Sequence, residues 1–189
     1  MRATQIALLR AINVGGTATI GMPALRALLA ELGLAEIRTV LQSGNLVFRG
    51  DRQSGRELET LLERAAADRL RLSTDVLVRS AAAWTRIVAA NPFRDDAVRD
   101  PGHLLLMVLK TAPTADSVAA LRAAITGPET FHAEGAELYI RYPAGIGRSK
   151  LTTRLIETRL GTRGTGRNWN TVLKLAELAR PSDQRVADH

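Results

Sequence analysis

The sequence predicts an α+β fold of two related lobes with mixed or antiparallel sheets, completed by a C-terminal helix. Three observations lead there. Short apolar runs alternate with amphipathic stretches along the chain. The same order of elements occurs on either side of a stretch rich in Pro, Gly and Asp at 91–102. The 189 residues suffice for two small domains.

Ile6–Ile12 is a short apolar run leaving into Asn13-Val14-Gly15-Gly16, the pattern of a buried strand followed by a loop. Pro23 marks a helix start, Leu25, Leu28, Leu29 and Leu32 recur at helical spacing, and Gly33 supplies the stop. Ile37–Leu41 and Leu46–Phe48 read as strands joined by a tight hairpin at Gln42-Ser43-Gly44-Asn45. Leu58, Leu61, Leu62 and Ala65 define a second amphipathic helix, Asp75–Arg79 a strand, and Trp84–Ala89 a short helix ending before Asn91-Pro92. Strand, helix, hairpin, helix, strand is the split βαβ order of ferredoxin-like sheets. After the linker, His103–Leu109 is a strand and Ser117–Ile125 a helix. Thr130–Ala133 and Leu138–Tyr142 form a hairpin around Glu134-Gly135, Ser149–Leu160 is a helix ending at Gly161, and a last helix runs from about Asn168 to Ala179. The expected organisation is a lobe at 1–90, a linker at 91–102, a lobe at 103–180 and a frayed tail at 181–189. The repeat is one of element order, with no residue-level identity apparent between the halves.

The absence of cysteine excludes disulfide scaffolds, thiolate metal sites and cysteine nucleophiles. Arg10 interrupts the first apolar stretch before it could serve as a secretory signal, and no segment reaches the ~18 apolar residues of a membrane span. A cytoplasmic protein without membrane contact is expected. Gly15-Gly16 is followed by no Gly-Lys-Ser/Thr and lacks the full dinucleotide glycine pattern. Ser43 sits in no G-x-S-x-G elbow. His103, His132 and His189 have no metal-ligand spacing, and Asp95, Asp96 and Asp100 are explained as a solvated linker. Neither a metal nor a cofactor is expected.

The net charge of +7 is local. Between residues 141 and 174, eight bases (Arg141, Arg148, Lys150, Arg154, Arg159, Arg163, Arg167, Lys174) face one acid, Glu157, so the rest of the chain sums to zero. Only three of the 26 bases are lysine, and two of those, Lys150 and Lys174, fall in this window. Gly145-Ile146-Gly147-Arg148-Ser149-Lys150 precedes a helix that Ser149 could cap, and Thr165-Gly166-Arg167-Asn168-Trp169-Asn170-Thr171 precedes the last helix. Helix N-termini carry unpaired N–H groups and partial positive charge, which suits phosphate or carboxylate. Asn170 and Lys174 share a face of the last helix, whereas Trp169, Val172, Leu173 and Ala176 cover its apolar face. Seven aromatic residues argue against recognition by base stacking, with Tyr139 and Arg141 the one weak signal for it.

ALLRAINVGG at 7–16, QSGNLVF at 42–48, NPF at 91–93, RSKL at 148–151 and GRNWNTVLKL at 166–175 together resemble the bacterial family catalogued as domain of unknown function 1697, from about residue 4 to residue 180. The resemblance implies a small cytoplasmic α+β protein of two ferredoxin-like lobes, with no activity assigned. It singles out Arg10, Asn13, Gly15, Gly16, Ser43, Gly44, Asn45, Ser149, Lys150, Arg167, Asn168, Trp169, Asn170, Thr171 and Lys174. The first loop departs from the family pattern: Thr17-Ala18-Thr19-Ile20-Gly21 stands where members usually have lysines, and Ala11 where they commonly have glycine.

The leading expectation is a module that binds an anionic, phosphate-bearing ligand between the lobes. Its candidate residues are Arg148, Ser149, Lys150, Arg167, Asn168, Asn170 and Lys174, with Arg10, Asn13, Gly15, Gly16, Ser43 and Asn45 as additional ones. One alternative is an enzyme acting on a small phosphorylated or carboxylated metabolite through a lysine. The other is association with nucleic-acid phosphates without sequence preference. No acid–base pair is recognisable, so whether a reaction is catalysed stays open at this point.

Overall fold

A computed structural model describes residues 3–10, 20–40, 44–51 and 55–180. The chain divides into two units, one holding the chain up to Val88 and again from Leu173, the other Ala89–Val172.

The first unit contains β1 (Ala3–Leu9), α1 (Met22–Glu31), β2 (Ala35–Val40), β3 (Asn45–Gly50), α2 (Arg56–Leu70), β4 (Val76–Ser80) and α3 (Ala81–Ala89). Its strands form an antiparallel sheet in the order β2-β3-β1-β4. The second unit contains α4 (Arg94–Arg99), β5 (Leu104–Leu109), α5 (Ala115–Ala123), β6 (Thr130–Glu134), β7 (Glu137–Arg141), α6 (Thr153–Leu160) and β8 (Gly164–Asn168), whose sheet order β6-β7-β5-β8 is the same. The last helix, α7 (Trp169–Ala179), follows β8 directly as α3 follows β4. Both lobes are therefore ferredoxin-like, and the repeat extends one helix beyond the split βαβ unit. Among the described residues no helix is long and apolar enough to cross a membrane.

In each lobe the two crossover helices cover one sheet face. Leu25, Leu28 and Leu29 of α1 and Leu58, Leu62 and Ala66 of α2 pack on Ala7, Leu9, Phe48 and Val78. Leu121 of α5 and Ile156 and Leu160 of α6 pack on Met107, Leu109, Leu138 and Ile140. The alternate residues, Ile6, Leu8, Val47 and Leu77 in one sheet and Leu104, Leu106, Val108 and Tyr139 in the other, are buried as well. Burial on both faces explains why the central strands read as continuous apolar runs instead of alternating ones.

Four expectations need correction. The linker at 91–102 contains α4, a six-residue helix with no buried residue and hence no periodic signal. The segment before Trp169 is a strand, β8. The helix expected from Ser149 begins at Thr153, after a 3₁₀ turn at Ile146–Arg148. The halves also share residues. The Arg10 N–H donates to the Asp75 carbonyl and the Lys110 N–H to the Arg163 carbonyl, both at 2.9 Å. These bonds place Val76 and Val78, and Gly164 and Gly166, with their backbone groups facing away from the sheet. The outward N–H groups of Val76 and Val78 donate to Glu63 and Glu59 of α2, and that of Gly164 to Glu157 of α6. The outward carbonyls of Val78 and Gly166 accept from the guanidinium groups of Arg79 and Arg167, at 2.9 and 2.8 Å. β4 and β8 thus have backbone groups on their open edges occupied by glutamate and arginine side chains, which hinders edge-to-edge pairing there.

Candidate functional site

Strands β7 and β8 flank β5, and both end where β5 begins: Leu104 faces Arg141 and Leu105 faces Asn168. With strands ~4.8 Å apart, Arg141 and Asn168 lie roughly 10 Å from one another across β5. The segment carrying Arg148, Ser149 and Lys150 and the segment carrying Arg167, Asn168 and Asn170 therefore leave the same end of the second sheet. Pro101 and His103 support both. The Trp169 N–H donates to the Pro101 carbonyl at 3.2 Å, and the Tyr142 N–H to the His103 carbonyl at 2.9 Å. Asp100 holds the His103 ring at 2.7 Å, and Asp96 holds Arg141 Nε at 2.7 Å.

The protein's own side chains cap both helix starts. Thr152, not Ser149, caps α6, its hydroxyl accepting the Leu155 N–H at 3.2 Å. Ser149 Oγ instead donates to the buried carboxylate of Glu129 and accepts the Leu151 N–H, and the Leu151 carbonyl accepts a hydrogen bond from the Tyr142 hydroxyl. The Asn168 side chain caps α7 by accepting from the Thr171 N–H at 3.0 Å and its hydroxyl at 2.9 Å. Ser80 does the same for α3 through the Ala83 N–H. Substituting Thr152 by alanine should cost about 1 kcal/mol of stability. Urea midpoints of Thr152→Ala would check this, and an unchanged midpoint would contradict the cap.

Arg167 is 9% exposed. Its guanidinium donates to Thr165 Oγ1 at 2.7 Å besides the Gly166 carbonyl, and burial lowers its pKa to about 10. Arg148, Lys150, Asn168, Asn170 and Lys174 are exposed, and Ser149 is half-buried. Trp169 is buried, its ring centroid 6.3 Å from that of Tyr139. Tyr139 is therefore enclosed and cannot stack a base beside Arg141. Leu173, expected on the apolar face of α7, is 42% exposed, while Leu175 is buried.

Of the additional candidates, Arg10 and Asn45 belong to one end of the first sheet. The Leu9 N–H donates to the Gly44 carbonyl at 2.8 Å, joining the exit of β1 to the β2–β3 hairpin. Arg10 is half-buried, and its carbonyl accepts from Thr74 Oγ1 at 2.6 Å. Asn45 is buried and its Nδ2 donates to the Val40 carbonyl at 2.9 Å, closing the hairpin. Asn13, Gly15, Gly16 and Ser43 lie outside the described residues, as does the tail at 181–189.

Sequence reasoning missed Glu129, Glu157 and the edge role of Arg167. A signal for the last exists: Thr74-Asp75-Val76-Leu77-Val78-Arg79-Ser80 and Thr162-Arg163-Gly164-Thr165-Gly166-Arg167-Asn168 share Thr and Arg at the same spacing, each followed by a polar helix cap.

Fold and site together describe a two-lobed ferredoxin-like α+β protein with exposed bases gathered late in its sequence. The chain belongs to the family described as protein of unknown function DUF1697, whose model matches residues 2–139. The RSKL and GRNWNTVLKL segments lie beyond the matched part. No curated protein matches the chain. Among solved structures it is similar to conserved bacterial protein SP0830 from Streptococcus pneumoniae, with 20% identity and a TM-score of 0.74, over 95% of this chain and all of that one.

Proposed function

We propose that the protein binds a phosphate-bearing ligand through the exposed bases of the 148–174 segment and acts in the cytoplasm. One observation carries this reading. Of the eight bases in the window, Arg141 is tied to Asp96 and Arg167 is buried, whereas Arg148, Lys150, Arg154, Arg159, Arg163 and Lys174 are exposed. The window's one acid, Glu157, is half-buried with its carboxylate on the Gly164 N–H. Most of the window's bases are therefore accessible to solvent. The self-capped helix starts shift support from dipole-cradled anion sites to these side chains. The reading as a lysine-dependent enzyme requires a desolvated lysine, and Lys150 and Lys174 are both exposed.

Thermal unfolding at low salt with inorganic phosphate, ATP or an oligonucleotide tests the proposal. A ligand present at 100 times its Kd adds about 2.7 kcal/mol, a rise of several degrees for a protein of this size. If none of the three raises the melting temperature, the reading fails.

A further inference from the structure

Resting on that reading, we propose that the partner is the phosphate backbone of a nucleic acid, contacted along α6 without sequence preference. The carrying observation is where the bases lie on the path of the chain. After β7 the chain leaves the second sheet at the end where β5 begins, and it re-enters at Gly164, opposite Leu109 at the other end. Arg148, Lys150, Arg154, Arg159 and Arg163 follow one another along this traverse, all exposed. The traverse covers the length of β5, Leu104–Leu109, or roughly 17 Å at ~3.3 Å per residue. One strand of B-form DNA presents a phosphate about every 3.4 Å of axis, so about five phosphates lie alongside a track of that length. A free phosphate or a single nucleotide reaches only a fraction of it.

Three further features agree with a phosphate backbone. At the helix starts that could cradle a small anion, the protein's own Thr152, Asn168 and Pro101 carbonyl already take N–H groups. Six of the seven aromatic residues, Phe48, Trp84, Phe131, Tyr139, Tyr142 and Trp169, are buried and Phe93 is half-buried, which leaves no platform of successive rings for bases. The exposed residues of α6 are Thr153, Arg154, Thr158 and Arg159, while Ile156 and Leu160 face the core. All four are polar, so the helix has no apolar side to insert into a bilayer.

The test is fluorescence anisotropy of the full chain with labelled double-stranded DNA of about 20 base pairs and mixed sequence, titrated between about 50 and 200 mM salt. The expected slope of log affinity against log salt is about −3 to −4.5, from roughly 0.9 per neutralised phosphate. The variant Arg148→Ala/Lys150→Ala/Arg154→Ala/Arg159→Ala should lose most of that slope, up to about 3.6 units, and at least ~100-fold in affinity at low salt. All four positions are exposed, so its circular dichroism and melting temperature should stay near those of the parent. Should the fourfold variant unfold, the pair Arg154→Gln/Arg159→Gln replaces it, with an expected loss of about 1.8 units of slope. A slope shallower than about −1, or a folded variant that binds as well as the parent, overturns the inference. So does displacement of the DNA by ATP at equal phosphate concentration, or preferential binding to phosphatidylserine vesicles. A melting-temperature rise with ATP but none with DNA would sink the nucleic-acid assignment and leave the broader phosphate reading standing.

Discussion

Arg167→Met should lower the stability of the native state by about 2–3 kcal/mol and leave the salt dependence of DNA binding unchanged. The guanidinium is buried, and it serves Thr165 Oγ1 at 2.7 Å and the outward Gly166 carbonyl at 2.8 Å. Methionine retains much of the aliphatic packing but removes both donors, and each buried acceptor left without a donor costs about 1–3 kcal/mol. Burying a charge is itself unfavourable, which here lowers the arginine pKa to about 10, so its removal returns part of the loss. The net effect therefore sits well below the sum of the two bonds. Arg79→Met, at the matching place in the first lobe, should cost at least as much, because it removes the donor to the Val78 carbonyl and also the partner of the buried Glu59 carboxylate 3.8 Å away. Urea midpoints at constant slope would rank the two variants. An Arg167→Met protein of unchanged stability but with a salt slope lower by ~0.9 would place this side chain on a phosphate instead.

The two arginines also show which parts of the architecture are legible in the residues. Strands with apolar side chains, such as Leu104–Leu109, announce themselves. β8 does not, because Gly-Thr-Gly-Arg-Asn presents no apolar alternation. Its glycines are required by close approach: a Cβ at Gly164 would lie 2.7 Å from Leu109 Cδ2 and 2.8 Å from the Val108 carbonyl oxygen, and one at Gly166 would lie 2.8 Å from Leu105 Cδ2. The side chains of β5 fill the space that β8 leaves, so the strand is defined by its neighbour more than by itself. The start of α6 was ambiguous for a different reason. Ser149 and Thr152 are equally good caps locally, and the choice is made by Glu129, twenty residues away in sequence, which takes the Ser149 hydroxyl. Of the candidate site, the exposed positions Arg148, Lys150, Asn170 and Lys174 were legible as a charge pattern. Burial of Arg167 and capping by Asn168 depend on strand pairing, which periodicity alone does not reveal.

The protein should lose stability steeply between pH 10 and 12, with both phenols ionising only as it unfolds. It contains two tyrosines, Tyr139 and Tyr142, exposed by 1% and 2%. Burial, and then the charge of Glu129, push Tyr142 up to about 12. Burial, followed by Glu134 and Glu137, holds Tyr139 above the ordinary phenol range. For an acid whose folded pKa is raised, the associated stability is fully present below the unfolded value of 10 and disappears as pH climbs through the folded value. For Tyr142 this amounts to about 2–3 kcal/mol, at ~1.4 kcal/mol per unit. Arg167 acts in the opposite sense. Its folded pKa lies below the ordinary guanidinium value, so the native state gains as pH rises above about 10. That gain opposes the loss from the two raised phenols and reduces it in part. Near-ultraviolet absorbance and circular dichroism followed together would test this: phenolate absorbance should stay flat through pH 10 and then rise in step with the loss of tertiary signal. Tyr139→Phe should move that transition to higher pH, since it removes the acid with the largest stake while keeping the ring beside Trp169. Absorbance rising with a midpoint near pH 10 in a protein that remains folded would show that the phenols are accessible, and would contradict the enclosed Tyr139–Trp169 pair on which the end of the second sheet is built.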